Sequence, residues 1–161
     1  MADEVYDWDY YADALLAVIR LHADWSEANA AKYDFSILDG GIDRAVIITP
    51  GETEDIQKQG GGARVRGYEF VTDFLERIAG KSDVDAWTGF VAAREGLIRH
   101  LESYPTLNEA CGVLDVTIST SGRPLGIPAG SGDDESFIEL FQELTIVAAV
   151  RYVVTGGEYG S

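Results

Sequence analysis

Residues Phe137–Val154 constrain the fold more than any other part of the chain. Ile138, Leu140, Leu144, Ile146, Ala148, Val150, Tyr152 and Val154 occupy every second position, interrupted only by Gln142. Phe137, Glu139, Phe141, Glu143, Thr145, Val147, Ala149, Arg151 and Val153 alternate with them. A period of two places one set on each face of a strand. A strand of ~18 residues spans about 60 Å, beyond the usual length of about 3–10 residues. Such a strand is expected to bend, or to project from its domain and meet another chain.

The remaining elements follow from periodicity and punctuation. Tyr11, Ala14, Leu15, Val18, Ile19 and His22 make a helical stripe, predicting a helix over about 8–23 capped by Asp7 or Asp9. The next ten residues, Ala23–Lys32, read as its continuation or as a second short helix. Asp39-Gly40-Gly41 marks a turn, Arg44–Thr49 a β-branched strand, and Pro50-Gly51 its end. Glu52–Ala63, acidic and closing on three glycines, reads as a long loop. Arg64–Thr72 reads as a strand, with Val71, Phe74, Leu75 and Ile78 also fitting a helical stripe. Trp87, Phe90, Val91, Arg94, Leu97, Ile98 and Leu101 predict a helix over about 83–103, introduced by Ser82-Asp83-Val84-Asp85 and stopped at Tyr104-Pro105. Arg94 is expected to lay its stem along that stripe and extend its charge outward. Cys111–Ser121 alternates as a strand, Ser121–Ser136 reads as a second long loop, and Thr155–Ser161 as a loose tail.

This order predicts an α+β fold: a four-stranded, mainly antiparallel sheet with two main helices packed on one face, and two long loops. At 161 residues the chain reads as a single domain over 1–161 with its core in 9–154.

Charge narrows the classes of partner. Twelve lysines and arginines against twenty-eight aspartates and glutamates give a net charge of −16. Such a field repels nucleic acid and anionic membranes. The acidic start, MADEVYDWDYY, argues against a signal peptide, and no apolar run reaches the ~18 residues of a membrane span. The lone Cys111 excludes an internal disulfide and any cysteine-based zinc site, and is expected to act as a small buried hydrophobe.

Motifs for chemistry are incomplete. Gly80-Lys81-Ser82 would end a phosphate-binding loop, but Leu75 stands where that loop needs its first glycine. His22 and His100 read as lying on separate helices, without a neighbouring His or Cys at ligand spacing, each an ordinary surface or boundary histidine. Asp133-Asp134-Glu135 lacks the alternating pattern of a calcium loop. Glu139 and Glu143 share a strand face, as paired catalytic carboxylates would, yet charge on an outer face is the ordinary alternative. No catalytic residue, metal ligand or cofactor site is assigned, and the chain is not expected to be an enzyme.

The arrangement as a whole resembles the tail terminator proteins of long-tailed bacteriophages. The likeness rests on an amphipathic helix (DALLAVIRLH), an Asp-Gly-Gly turn with a strand ending in Pro-Gly (RAVIITPGE), and a second strand (ARVRGYEFVT). A Trp/Phe-containing helix (AWTGFVAAREGLIRHLESYP) and a closing strand pair (GVLDVTISTS and FIELFQELTIVAAVRYVV) complete it. The resemblance implies a virion protein in the tail or neck that forms a ring, usually of six copies. Its partners would be the tail tube protein below and a head-closure or connector protein above, with genome DNA only passing through the lumen. It implies no catalytic residue. Candidate contacts with neighbours are Arg64, Arg66, Arg123, Phe141 and Arg151, with Arg64, Arg66 and Arg123 expected to meet acidic faces of adjacent subunits. The rival readings are another head-to-tail neck protein and, from a different class, an acidic mimic of DNA that blocks a basic enzyme.

Overall fold

The computed structural model describes residues 6–40, 43–58, 60–77, 83–128 and 137–153. The Gly-Lys-Ser tripeptide, the Asp133-Asp134-Glu135 run and the tail after Val153 lie outside them. The elements in chain order are α1 (Trp8–Ile19), β1 (Ala30–Lys32), β2 (Arg44–Lys58), β3 (Ala63–Arg77), α2 (Asp83–Glu102), β4 (Val113–Pro128) and β5 (Phe137–Val153).

The fold is α+β, and the sheet is larger than expected: five strands in the order β1-β2-β3-β5-β4. Pairing is antiparallel except for β1, which lies parallel to β2 with Ala30 opposite Val46. The four-stranded prediction thus missed β1. That strand has only three residues, none with a strong β preference, and is held by burial: Ala30 has no exposed surface.

α1 begins as predicted, with the Asp7 carboxylate accepting from the Tyr10 N–H at 3.1 Å. It ends earlier than predicted in a tight turn, where the Leu21 and His22 N–H groups bond the Val18 and Ile19 carbonyls three residues back, and the segment beyond it is held by polar side chains and not by a second helix. Asn29 Oδ1 accepts from the Ser26 N–H at 2.8 Å, and Ser26 Oγ from the Ala28 N–H at 3.2 Å. Arg20 then donates to the Ala30 carbonyl at 2.6 Å, tying the helix end to β1.

The described residues of both predicted long loops are largely strand. β2 continues through Pro50-Gly51 by a register shift between Pro50 and Thr53, which accommodates a residue with no N–H to donate. It turns back at Gly61 and Gly62, whose φ values of +72° and +86° suit glycine. β4 likewise continues to Pro128 past a shift between Ser121 and Leu125. The segment 129–136 lies outside the described residues. β5 spans 17 residues, and its neighbours β3 and β4 span 15 and 16. It therefore does not project alone: its length is matched on both sides.

Both helices pack on one face, as predicted. Leu140, Leu144, Ile146, Ala148 and Val150 of β5 point into that layer with Phe70 and Phe74 of β3. Phe74 meets Phe90 of α2 edge-on at 5.2 Å and Trp25 at 5.8 Å. Each large side chain fully buried here contributes about 1.5–3 kcal/mol of transfer free energy. Tyr11 belongs to this core, and Tyr6, Trp8 and Tyr10 pack against it. Trp8 lies 5.2 Å from Phe70, and Tyr11 lies 4.9 Å from Tyr68. Arg94 departs from expectation: it turns toward the sheet and donates to Gln142 Oε1 at 2.8 Å. Gln142 is buried among apolar side chains, and the guanidinium supplies the donor that its Oε1 would otherwise lack.

Candidate interaction surfaces

Among the described residues, the face of the sheet away from the helices is covered at one corner. There Ile37 and Leu38 of the 3-10 turn Phe35–Gly40 pack on Ala45, Ile47, Leu75 and Phe141. Beyond that corner lie Val71 opposite Thr145 and Glu69 opposite Val147. Ile56 and Leu125, 55% and 57% exposed, extend the apolar surface toward both edges. Between them the face mixes polar and apolar residues, as solvated faces of antiparallel sheets do: Thr49, Val71, Thr145 and Ser119 share one cross-strand row, and Glu69, Val147 and Thr117 the next.

Charge on this face is unevenly matched. Glu139 pairs with Arg77 at 3.8 Å. The Glu69 carboxylate accepts from the Glu52 N–H at 3.3 Å. Asp73 stands directly across from Glu143, and neither forms an ion pair among the described residues. Burial, and secondarily the charge of Glu143, push the Asp73 carboxyl above its ordinary value.

The candidate arginines separate into two groups. Arg64 and Arg66 project to the helix side of β3 near the β2–β3 turn. Arg66 Nε donates to Asp55 at 3.1 Å, its Nη2 donates to the Tyr152 hydroxyl at 2.5 Å, and its guanidinium stacks on the Tyr152 ring at 4.4 Å. Arg64 lies 4.0 Å from the same carboxylate. The Arg66 bond holds Asp55 below the usual carboxylate range. Both arginines thus have an acidic partner within their own chain. Arg123, in the register shift of β4, and Arg151, near the end of β5, are exposed and form no ion pair among the described residues. Phe141 is half-buried against the Ile37–Leu38 corner, opposite Leu125. The five residues do not form one patch.

The sheet also ends in two different edges. β4 pairs only with β5, and β2 beyond Ile48 has no described partner on its outer side. The exposed stretch Thr117–Ser121 holds no charge or proline, two of the devices that blunt a free edge.

Elsewhere, the histidines are structural. His22 and His100 meet edge-on at 5.1 Å, His100 Nε2 lies 2.6 Å from the Val18 carbonyl, and His22 Nδ1 accepts from the Asp24 N–H. Cys111 is exposed, contrary to expectation. Its backbone is what the fold uses: the Tyr11 hydroxyl donates to its carbonyl at 2.8 Å, and Tyr10 accepts from its N–H at 3.1 Å. An open cleft of about 300 Å³ lies between α1 and the turn at Leu107–Ala110, with Ala14, Val18 and Leu21 on its helix side. Among the described residues, no group of three or more His, Cys, Asp or Glu could hold a metal ion, and no helix is long and apolar enough to cross a membrane.

The Asp73–Glu143 opposition and the two edges were not read from the sequence. Spacing alone joined Glu143 to Glu139; the β3–β5 register was needed to bring in Asp73. Among the described residues, the geometry defines a two-layer sheet protein with one face largely uncovered and two unlike sheet edges. No protein-family model matches the chain, and no curated protein matches it.

Proposed function

We propose that the chain is a ring-forming virion protein of the tail-terminator kind, which caps the tail tube, halts its growth and offers a seat to a head-closure or connector protein. The observation that supports this reading is the pair of unlike free edges, β4 on one side and the distal half of β2 on the other. Contact between two different surfaces is heterologous, and heterologous contacts close into rings when the rotation allows. Thr117–Ser121 supplies a backbone edge, with Arg123 beside it; Glu52 and Glu54 lie on the opposing β2 edge. In such a ring Arg123 and Arg151 remain available for neighbours, whereas Arg64 and Arg66 brace the β2–β3 turn. The tube protein is the partner on one side and the closure protein on the other, with DNA passing through a lumen that the acidic chain does not bind.

Light scattering after size exclusion, with and without purified tail tubes, tests the reading. The wild-type chain is expected to give a discrete ring, alone or on tubes. Thr120→Lys, which places a charge on the exposed β4 edge, is expected to stay monomeric with an unchanged fold. A wild-type chain that stays monomeric and ignores tubes overturns it.

A further inference from the structure

We propose that the two lateral sides of the sheet are unlike halves of one contact, in which Tyr33 and Phe35 of one copy seat against the Trp87 flank of α2 in a second copy of this chain. The proposal deepens the ring reading and rests on it, because it names what the neighbouring copy brings to each side. Exposed apolar side chains carry it. Tyr33 and Phe35 follow β1, and Phe35 is 48% exposed. The Tyr33 N–H bonds the Ile48 carbonyl, which places the pair on the outer side of β2. Val84, Trp87 and Val91 form the second group, on α2, with Trp87 42% exposed. They precede Arg94 at steps of three and four, so they share its flank of the helix. That flank is turned toward β4: Arg94 bonds Gln142 of β5, and the Gln142 amide donates to the Gly122 carbonyl of β4. Gly89, on the other flank, lies beside Glu76 of β3. Leu125 of β4 is exposed on the same side of the molecule as the Trp87 group.

A second copy is the occupant that fits both sides at once. Clustered exposed apolar side chains mark interaction surfaces. Here one cluster lies at each outer side of the same sheet, and each adjoins a free strand edge. Head-to-tail joining covers both clusters in every copy, whereas a two-fold dimer buries one side twice and leaves the other in water. The area is sufficient. β4 spans 16 residues, about 50 Å, and a sheet with its helix layer is about 20 Å thick, so one side offers about 1,000 Å². A stable interface needs about 800 Å² on each partner. Apolar contact also suits a chain of net charge −16, since burying these side chains supplies the attraction that the charge of two acidic copies opposes.

Phe35→Lys and Val91→Lys each spoil one half of the contact. Both full-length variants are compared with wild type by light scattering after size exclusion, with and without purified tail tubes. Each variant alone is expected to lose assembly, its self-association weakened at least about tenfold. Mixed in equal amounts, the two are expected to form a one-to-one dimer and grow no further. The Val91→Lys copy keeps its Tyr33 and Phe35 side and the Phe35→Lys copy keeps its α2 flank, which together complete a single contact. Such pairing also shows that both variants are folded. Leu21→Lys, at an exposed site in the cleft beside α1, is expected to assemble as wild type does. Assembly by either single variant, or no pairing in the mixture where wild type assembles, overturns this contact and leaves the ring reading standing. A wild type that stays monomeric under both conditions, which would leave the two sides to a different protein, overturns both.

Discussion

Asp73 of β3 and Glu143 of β5 stand directly opposite one another on the face away from the helices. Burial, then the neighbouring charge, raises the Asp73 carboxyl, so the folded chain holds that proton more tightly than the unfolded one. Ionised Asp73 therefore costs stability. That cost is relieved as pH falls from neutral through the raised value toward the ordinary 3.8. Asp73→Asn is expected to stabilise the protein at neutral pH by about 0.5 kcal/mol. It should also remove this part of the gain on acidification. Urea midpoints across that pH range check it; a destabilised variant with the wild-type pH profile contradicts it.

Asp55 shows the opposite sign. The Arg66 hydrogen bond, with help from Tyr152 and Arg64, lowers its carboxyl. Its contribution is present above the ordinary 3.8 and is lost as pH falls through the lowered value. Asp55→Asn is expected to cost less than about 1 kcal/mol overall, since the pair is partly solvated. Hydrogen exchange should nevertheless quicken around the β2–β3 turn and leave α2 unchanged. Uniformly faster exchange would show that the cluster supports the whole fold instead.

Phe90 has no exposed surface and packs edge-on against Phe74, joining α2 to the central strand β3. Phe90→Ala is expected to cost about 3–5 kcal/mol, measured by denaturant unfolding. A loss below about 1 kcal/mol would mean that this contact does not hold the helix layer on the sheet.

Two glycines predict effects of opposite sign. Gly112 has φ +77°, and a Cβ there would lie 2.5 Å from the Arg151 carbonyl oxygen. Gly112→Ala is expected to destabilise by more than about 1 kcal/mol. Gly96 lies inside α2 with open space where its Cβ would be. Gly96→Ala is expected to stabilise by about 0.5–1 kcal/mol. Thermal unfolding of both variants reads the difference directly.

The elements with strong periodicity were legible in sequence. α2 follows its stripe from Asp83 to Glu102, and the alternation of Leu140 to Val150 marks the buried face of β5. Less legible were segments whose pairing supplies what their own residues lack. β1 is three small or polar residues fixed by burial against β2. The outer halves of β2 and β4 contain Pro50, Gly51, Gly122 and Pro124, which read locally as turns. In the sheet they are absorbed by register shifts between partners many residues away. The candidate surface was hidden for the same reason. Arg64 and Arg66 stood out as charges, but their carboxylate, Asp55, lies across a strand pair. Glu143 acquires its significance only from Asp73 opposite.

The most direct test of the ring account is the growth of tail tubes from purified tube protein with and without this chain. The account predicts that tubes stop lengthening once a ring of the chain occupies each growing end, with labelled chain found only there. Tubes that lengthen at the same rate with the chain left free in solution would contradict it.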